Sequence, residues 1–227
     1  MMEMRAKLEV SLAIVRAAFA RVGNDARRVA VAFNGGKDSV AMMHVIALAM
    51  DDADAFRGLT FVYFHCADVF PDQLVFLHDE CNRRGITLLT VPLQAPEPGG
   101  AHWQRALRQF AAACPDVSIV FMGTRCADPH ASAFDAAAVA PPSANWPPLT
   151  RVAPLLAWAY QDVWVLIDRD ALSYCDLYAR GYTSLGGRAT TRPHPALAYT
   201  SLDTGDVHYR HARCLVDGHE RDGRDVL

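Results

Sequence analysis

Short apolar runs alternate along the first half of the chain with segments of helical spacing. The apolar runs are rich in β-branched and aromatic residues and too short for helices, so they predict buried strands. They cover residues 29–33, 59–64, 86–91 and 118–122. The helical segments cover residues 40–49, 71–84, 101–114 and 160–170. This alternation predicts an α/β fold with an open, mostly parallel sheet and helices on both faces.

Two later stretches show no sustained periodicity. Residues 124–156 are rich in Ala, Pro, Asn and Asp, and a second irregular stretch runs from Gly181 to the C-terminus. Irregular segments of this length in compact domains are usually functional or disordered. We therefore expect one domain over residues 1–227, with an α/β core to about residue 170 and an irregular C-terminal extension that completes the site.

Composition narrows the class of protein. With 227 residues, 52% of them apolar and 21% charged, the chain is of the ordinary globular kind and would bury roughly 70% of its unfolded surface. A net charge of −3 argues against a nucleic-acid-binding surface. Apolar stretches stay below the roughly 18 residues that a membrane span needs, so we expect a cytoplasmic protein without a membrane partner. The six cysteines form no Cys-x-x-Cys pair and are interpreted as reduced packing residues.

The segment FNGGKDS, residues 33–39, stands between the first predicted strand and the next helix. Ligands of open parallel sheets bind at such places, beside the carboxyl ends of the strands. Gly35 and Gly36 allow positive φ angles and a close backbone approach to an anion. We expect the helix to begin near Asp38 or Ser39, so that its N-terminus adds the positive end of its dipole.

The side chains of this loop suit phosphate chemistry. Ser39 would cap the helix or donate to a phosphate oxygen, and Asp38 would do likewise or hold a metal ion. The common ATPase motif is absent, because it requires glycine where this chain has Val31. Phosphate binding is therefore predicted, and a plain glycine turn capped by Asp38 with a solvated Lys37 is the alternative.

Longer strings point to one family. Gly-Gly-x-Asp-Ser after the first strand resembles the PP-loop of the ATP pyrophosphatase superfamily, whose members cleave ATP between the α and β phosphates. The chain resembles the FMN adenylyltransferase (FAD synthase) domain family in the strings AFNGGKDS, MGTRCADPH, NWPPLTRVAPLLAWAYQDVW, YCDLYARGYTSLGGR and YRHARCLVDGHERDGR. They occur in the same order across nearly the whole chain. The resemblance implies an enzyme, a nucleotidyltransferase that moves the AMP moiety of ATP onto FMN and releases FAD and pyrophosphate.

The resemblance also implies roles for individual residues. Those implied to hold the ATP phosphates and later the pyrophosphate are Phe33, Asn34, Gly35, Gly36, Lys37, Asp38 and Ser39. Those implied to receive the flavin are Thr124, Arg125, Asp128, Asn145, Trp146 and Arg151. Those implied to be catalytic are Asn34, Lys37, Asp38, Arg221 and Arg224, the last two from the C-terminal string ERDGR. The implied cofactor is Mg²⁺, carried by the ATP phosphates with Asp38 as a candidate ligand. FAD-accepting apoenzymes are the implied protein partners.

The chain departs from the family pattern at three places. Ser143 stands where members carry Asp before the x-Asn-Trp-Pro segment, and residues 193–195 read Pro-His-Pro in place of Arg-Asn-Pro. Residues 131–142 match nothing in the family. These departures leave a flavin- or nucleotide-binding protein without catalysis as an alternative. Another PP-loop enzyme, such as a sulfonucleotide reductase, is disfavoured because Cys214 lacks the Glu-Cys-Gly-x-His context that reductases need.

Overall fold

The computed structural model describes residues 2–97, 100–129, 131–216 and 219–225. Parts of two family strings, at residues 130 and 217–218, therefore lie outside the described residues. In this part of the chain the helices are α1 Met2–Arg21, α2 Lys37–Met50, α3 Ala53–Arg57, α4 Pro71–Arg84, α5 Ala101–Ala113 and α6 Tyr160–Arg169. The strands are β1 Val29–Ala32, β2 Thr60–Cys66, β3 Leu88–Leu93, β4 Ile119–Phe121, β5 Val139–Ala140, β6 Thr150–Val152, β7 Ala198–Thr200 and β8 Val207–Tyr209.

A twisted sheet of six strands organises the molecule. Its strand order is β3-β2-β1-β4-β6-β5, and every neighbouring pair is parallel except β5 with β6. The last two strands, β7 and β8, pair with each other in a separate antiparallel hairpin. The predicted α/β class and mostly parallel sheet are confirmed.

Side chains of the sheet alternate between two hydrophobic cores. Val29 and Val31 of β1 face the larger core, which contains residues of α1, α2, α4 and α6. Ala30, between them, faces the smaller core, where Ala106 and Phe110 of α5 cover the opposite side of the sheet. Because strand side chains point to opposite faces in turn, this alternation places helices on both faces. Helices on both faces were predicted.

The start of α2 differs from the prediction. The helix begins at Lys37, one to two residues earlier than expected, and its N-cap is Gly36 in an extended conformation without a side-chain cap. The hydroxyl of Ser39 lies 2.8 Å from the carbonyl oxygen of Gly36, inside the first turn, so the expected capping role of Ser39 is wrong. Moving the start to Lys37 brings the backbone N–H groups of the first turn directly after the glycines.

The stretch after β4, predicted to be irregular, contributes two strands to the sheet. Strand β6 pairs with β4 in parallel, with Phe121 opposite Val152, and β5 adds to its other side. The C-terminal part contains short 3₁₀ turns at Asp176–Arg180, Arg188–Thr190, Pro195–Leu197 and Ala212–Cys214. From β1 the sheet therefore grows through β2 and β3 on one side and through β4 and β6 on the other, which makes the carboxyl ends of β1 and β4 a crevice where ligands bind in such sheets.

Two smaller expectations concern the cysteines and the membrane. All six cysteines are free; Cys81 and Cys175 are buried, whereas Cys126 and Cys214 are exposed. The packing interpretation is therefore wrong for the two exposed thiols. In the described part of the chain, each helix is too short or too polar to cross a lipid bilayer.

Candidate active site

The loop between β1 and α2 lies at the carboxyl end of the central strand. Phe33 extends the strand by donating its N–H to the carbonyl of Val62 at 2.9 Å, and its side chain is buried. Gly35 then turns the chain with a φ of +75°, which a residue with Cβ adopts at a cost. The helix N-terminus that follows presents the backbone N–H groups of Asp38 and Ser39 and the positive end of the helix dipole, so the loop is shaped to bind an anion.

Asn34 holds this loop in shape. Its Oδ1 accepts the N–H of Gly36 at 2.9 Å and lies 2.9 Å from the hydroxyl of Ser39. Its backbone carbonyl accepts a hydrogen bond from the amide of Gln73 on α4 at 2.8 Å. The side chain is exposed, so it reaches the open face of the loop while fixing the backbone behind it.

The ammonium group of Lys37 points inward. Its side chain is 1% exposed, and Nζ donates to Asp38 Oδ2 at 2.9 Å and to Glu220 Oε1. The same Nζ lies 4.9 Å from the centre of the Tyr160 ring, which stabilises a cation further. The backbone N–H of Lys37 is also engaged, donating to the hydroxyl of Tyr178 at 2.9 Å. The cation that the resemblance implies for the phosphates is thus part of an internal ion network.

Arg125 enters the same network from the loop after β4. Its side chain is 1% exposed; Nη2 donates to Glu220 Oε2, and Nε lies 2.7 Å from Asp38 Oδ1 in an ion-pair contact without hydrogen-bond geometry. Its backbone N–H donates to Asp128 Oδ2 at 2.8 Å. Gly123 makes this approach possible, since a Cβ there would lie 3.0 Å from the carbonyl carbon of Asp38. The loop after β4 is therefore packed directly on the first turn of α2.

The C-terminal string ERDGR closes the network from the other end of the chain. Glu220 is separated from Lys37 by 183 residues in sequence, and its backbone carbonyl accepts the hydroxyl of Thr183 at 2.7 Å. Arg221 Nη2 donates to Asp128 Oδ1 at 3.0 Å. The C-terminal segment, expected to complete the site, contacts the PP-loop through Glu220.

Positive and negative charges in the network are equal in number. Three cations, Lys37, Arg125 and Arg221, face three carboxylates, Asp38, Asp128 and Glu220. Burial alone would raise the pKa of Asp38, but the charges of Lys37 and Arg125 outweigh it and hold that pKa below its ordinary value. Burial would lower the pKa of Arg125, yet Asp38 and Glu220 raise it above the ordinary value. Asp38 and Arg125 are therefore both ionised at neutral pH.

Arg224 lies beside this network in a different surrounding. Its side chain rests against Gly186, where a Cβ would collide with the guanidinium group, and its Nη1 is 3.4 Å from the hydroxyl of Ser184. Burial, followed by the charge of Arg221, lowers its pKa. Its hydrogen-bond partner Ser184 is neutral, whereas Arg125 is paired with the carboxylates of Asp38 and Glu220. Arg224 is therefore better suited than Arg125 to bind an external anion.

His194, in the Pro-His-Pro departure, anchors the same C-terminal turn. It is 1% exposed, its Nδ1 accepts the N–H of Ala196 at 3.2 Å, and its Nε2 donates to the carbonyl of His219 at 2.9 Å. An asparagine, as in the family pattern, also offers one acceptor and one donor in its side chain. Histidine in place of asparagine at position 194 therefore still allows one donated and one accepted hydrogen bond.

The remaining residues implied for the flavin lie on other elements. Thr124 is half-buried beside Arg125, and Arg151 is on β6, its guanidinium group 5.7 Å from the ring of Phe134. Asn145 is exposed with a φ of +67°. Trp146 is half-buried, and its ring would lie 3.8 Å from a Cβ at Gly100, at the start of α5. Arg125 and Asp128 thus join the ion network, whereas Asn145, Trp146 and Arg151 belong to the neighbouring β5–β6 region.

Several residues of the site have no role predicted from the sequence. They are Gln73, Tyr160, Tyr178, Thr183, His194 and Glu220. Tyr178 and Thr183 fall inside the family string YCDLYARGYTSLGGR, and Glu220 directly precedes Arg221, so their positions in matched strings were the available signal. Their contacts join residues distant in sequence, from 25 residues for His194 with His219 to 183 residues for Glu220 with Lys37, which spacing does not reveal.

Asp38 does not fit the role of a magnesium ligand. One carboxylate oxygen is bonded to Lys37 and the other contacts Arg125, so a third cation would have to displace one of them. Among the described residues, no cluster of three or more His, Cys, Asp or Glu side chains is arranged to hold a metal ion. We derive no chemical step through a protein-held metal.

Comparisons with known proteins identify relatives that cover most of the chain. The sequence profile of the phosphoadenosine phosphosulfate reductase domain family matches residues 28–193. A probable FAD synthase of Caenorhabditis briggsae is 34% identical over 202 residues, covering 88% of this chain and 37% of that protein. A probable FAD synthase of Schizosaccharomyces pombe is 30% identical over 226 residues, covering 96% of this chain and 79% of that protein. The chain thus spans little more than a third of the nematode protein.

One solved structure follows the fold over nearly its whole length. The FMN adenylyltransferase of Candida glabrata, in complex with FAD and inorganic pyrophosphate, matches with a TM-score of 0.86 at 20% identity. The match covers 98% of this chain and 90% of that chain. At this level of identity the likeness establishes the fold, including the irregular C-terminal part.

Proposed function

The chain belongs to the phosphoadenosine phosphosulfate reductase domain family and to the FAD synthase family, and on that premise we propose that it is an FMN adenylyltransferase. It transfers the AMP moiety of ATP to FMN. The FMN phosphate attacks the α-phosphorus of ATP, the bond from that phosphorus to the bridging oxygen breaks, and FAD and pyrophosphate result. Its partners in this reaction are the small molecules ATP, FMN and FAD.

The reaction brings an anionic nucleophile to an anionic electrophile. At about 4 Å and an effective dielectric constant near 20, each pair of unit charges repels by roughly 4 kcal/mol. Catalysis therefore depends on cations beside the reacting phosphates. Arg221 and Arg224 supply them in our proposal, because a guanidinium group presents a planar fork that fits phosphate oxygens.

The PP-loop binds the phosphates of ATP and then the pyrophosphate. Gly35 turns the backbone, the first turn of α2 directs its N–H groups and dipole at the anion, and Asn34 fixes the loop. Lys37 and Asp38 act mainly from within, holding the start of the helix against Arg125. A phosphate monoester is largely doubly ionised at neutral pH, so no general base is required, and alignment and charge stabilisation carry the catalysis.

The flavin is received on the β4–β6 side of the loop in this proposal. Trp146, half-buried beside the start of α5, offers an aromatic face, and Asn145 and Arg151 offer polar groups. Ser143 is exposed and carries no charge, so a contact made by a carboxylate in other members would be made here by a hydroxyl or not at all.

One observation carries the proposal beyond family membership: the turn containing Arg221 lies on the PP-loop. Glu220 pairs with Lys37 of the PP-loop, and Arg221 pairs with Asp128 in the loop after β4, which itself packs on the first turn of α2. A PP-loop alone suits any reaction that releases pyrophosphate. Arginines brought to that loop from the C-terminal segment suit the transfer of a nucleotide between two anions.

The test is a direct assay of both products. Purified protein with FMN, ATP and MgCl₂ is expected to form FAD, detected by chromatography, and an equal amount of pyrophosphate, detected by a coupled enzyme. Omitting FMN serves as the control, since it should abolish pyrophosphate release. Flavin binding without either product would support the non-catalytic alternative, and thioredoxin-dependent reduction of a sulfonucleotide would support a reductase.

A further inference from the structure

Glu220 bridges the two buried cations of the site. Its Oε1 accepts a hydrogen bond from Lys37 and its Oε2 accepts one from Arg125, and Asp38 contacts the same two cations from the other side. The four side chains form a closed ring in which positive and negative charges alternate. One member of the ring comes from the C-terminal segment and the other three come from the α/β core.

Burial explains why the ring needs its second carboxylate. The side chains of Lys37 and Arg125 are each 1% exposed, and Glu220 is 15% exposed. A charge that has lost its water stays ionised in a protein only when it is paired. Asp38 alone would leave two buried cations sharing one carboxylate, whereas Glu220 gives each cation a second partner.

The backbone around Glu220 is equally constrained. Its carbonyl accepts the hydroxyl of Thr183 at 2.7 Å, and the carbonyl of His219 just before it accepts Nε2–H of His194 at 2.9 Å. The turn then closes on itself, because the N–H of Arg224 donates to the carbonyl of Arg221 at 2.8 Å. Glu220 anchors the first half of this turn, and the second half is anchored at Gly223, whose carbonyl accepts the N–H of Arg192 at 2.7 Å.

We propose that Glu220 is a positioning residue, whose bridge between Lys37 and Arg125 holds the 219–224 turn so that Arg221 and Arg224 face the phosphates at the PP-loop. This inference rests on the proposed FMN adenylyltransferase activity. Glu220 itself does not touch the substrates. It acts through the arginines, and its two carboxylate oxygens are both required because each one serves a different cation.

The main test is Glu220→Gln, which keeps the size of the side chain but replaces one acceptor oxygen with an NH₂ group that cannot accept a hydrogen bond from the cation it faces. We expect kcat for FAD formation to fall about 10- to 100-fold, while KM for FMN changes less than about twofold, because the arginines act on the transition state. The matched control is Glu9→Gln, the same substitution at an exposed side chain of α1 outside the site, and it should behave like the wild type.

A double-mutant cycle separates positioning from a general loss of structure. If Glu220 acts through Arg221 and Arg224, it should matter little once both arginines are gone. Adding Glu220→Gln to the variant with Arg221→Ala and Arg224→Ala should therefore lower kcat by no more than about twofold. The inference is wrong if the loss of kcat from Glu220→Gln multiplies with the loss from the two arginine substitutions. It is also wrong if Glu220→Gln alone has the kcat of the wild type. If Glu220→Gln fails to fold, Thr183→Val releases the same turn without removing a charge. It should lower kcat, with Thr183→Ser restoring it, and a fully active Thr183→Val would contradict the inference.

The two failures are distinguishable. A wild-type protein that forms no FAD contradicts the proposed function. A wild-type protein that forms FAD alongside an equally active Glu220→Gln variant contradicts only the role of Glu220.

Discussion

Asn34 accepts two hydrogen bonds with one oxygen and still exposes its side chain at the open face of the PP-loop. We predict that Asn34→Ala lowers FAD formation about 100-fold, because the loop loses its internal support where charge develops in the transition state. The melting temperature should change little, since the side chain is exposed. Steady-state FAD synthesis and a thermal melt of the same preparation measure the two effects.

Asn34→Asp is the matched control for this prediction. It keeps the acceptor oxygen for Gly36 and Ser39 but adds a negative charge at the place where we expect phosphate. We therefore expect a protein as stable as the wild type with poor activity and a raised KM for ATP. If Asn34→Ala loses as much stability as activity, the residue has a structural role and the catalytic assignment fails.

At the residue level the sequence predicts the backbone shape of the PP-loop better than the ion pairs that its side chains form. Gly35 is predictable because a glycine turn between a strand and a helix is typical of phosphate loops, and the role of Asn34 is implied by the family resemblance. The partners of Lys37 could not be predicted. Lysine in such a loop is expected to face the anion, and only the packing of Glu220 and Tyr160 around it turns it inward.

Gly123 sets the distance between two elements, the loop after β4 and the first turn of α2. A Cβ at Gly123 would lie 3.0 Å from the carbonyl carbon of Asp38 and 3.1 Å from the N of Ser39, and backbone atoms cannot move aside as a flexible side chain does. We predict that Gly123→Ala destabilises the protein by about 1–3 kcal/mol. It should also lower FAD formation, because it pushes Arg125 away from Asp38.

The control is Gly58→Ala, at the end of α3. Gly58 has a right-handed helical conformation, and a Cβ there would lie 3.5 Å from its nearest neighbours, an ordinary contact. This substitution should change the free energy of unfolding by less than about 0.5 kcal/mol. Urea denaturation of both variants gives the comparison, and equal effects would show that Gly123 is not needed for the close approach.

At the level of elements, helices α2, α4, α5 and α6 were predicted, whereas α1, the longest helix, and the shortest strands were not. Helix α4, Pro71–Arg84, was predicted with the same boundaries, because proline starts it, cations lie in its last turn and Gly85 ends it in the left-handed conformation. Strands β5 and β6 are two and three residues long, too short for any period. Their position depends on pairing with β4, which is decided by tertiary structure.

At the scale of the whole molecule, the C-terminal segment completes a site that the α/β core begins. The strands of the large sheet all end before residue 153, so the core does not depend on the last residues for its sheet. Residues 219–225 contribute Glu220, Arg221 and Arg224 to the site. Their contacts reach Thr183 and His194, which belong to the irregular part that precedes them.

We therefore predict that removing residues 217–227 separates folding from catalysis. The shortened protein should keep a cooperative thermal transition and its circular dichroism, because both hydrophobic cores lie outside the deleted segment. FAD formation should fall to background, since both tail arginines are lost and the ammonium of Lys37 and the guanidinium of Arg125 each lose one carboxylate. A peptide of residues 217–227 added in trans should restore part of the activity. The same peptide with Arg221 and Arg224 replaced by alanine should restore none, whereas a fully active shortened protein would show that the core alone supplies the charge that the reaction needs.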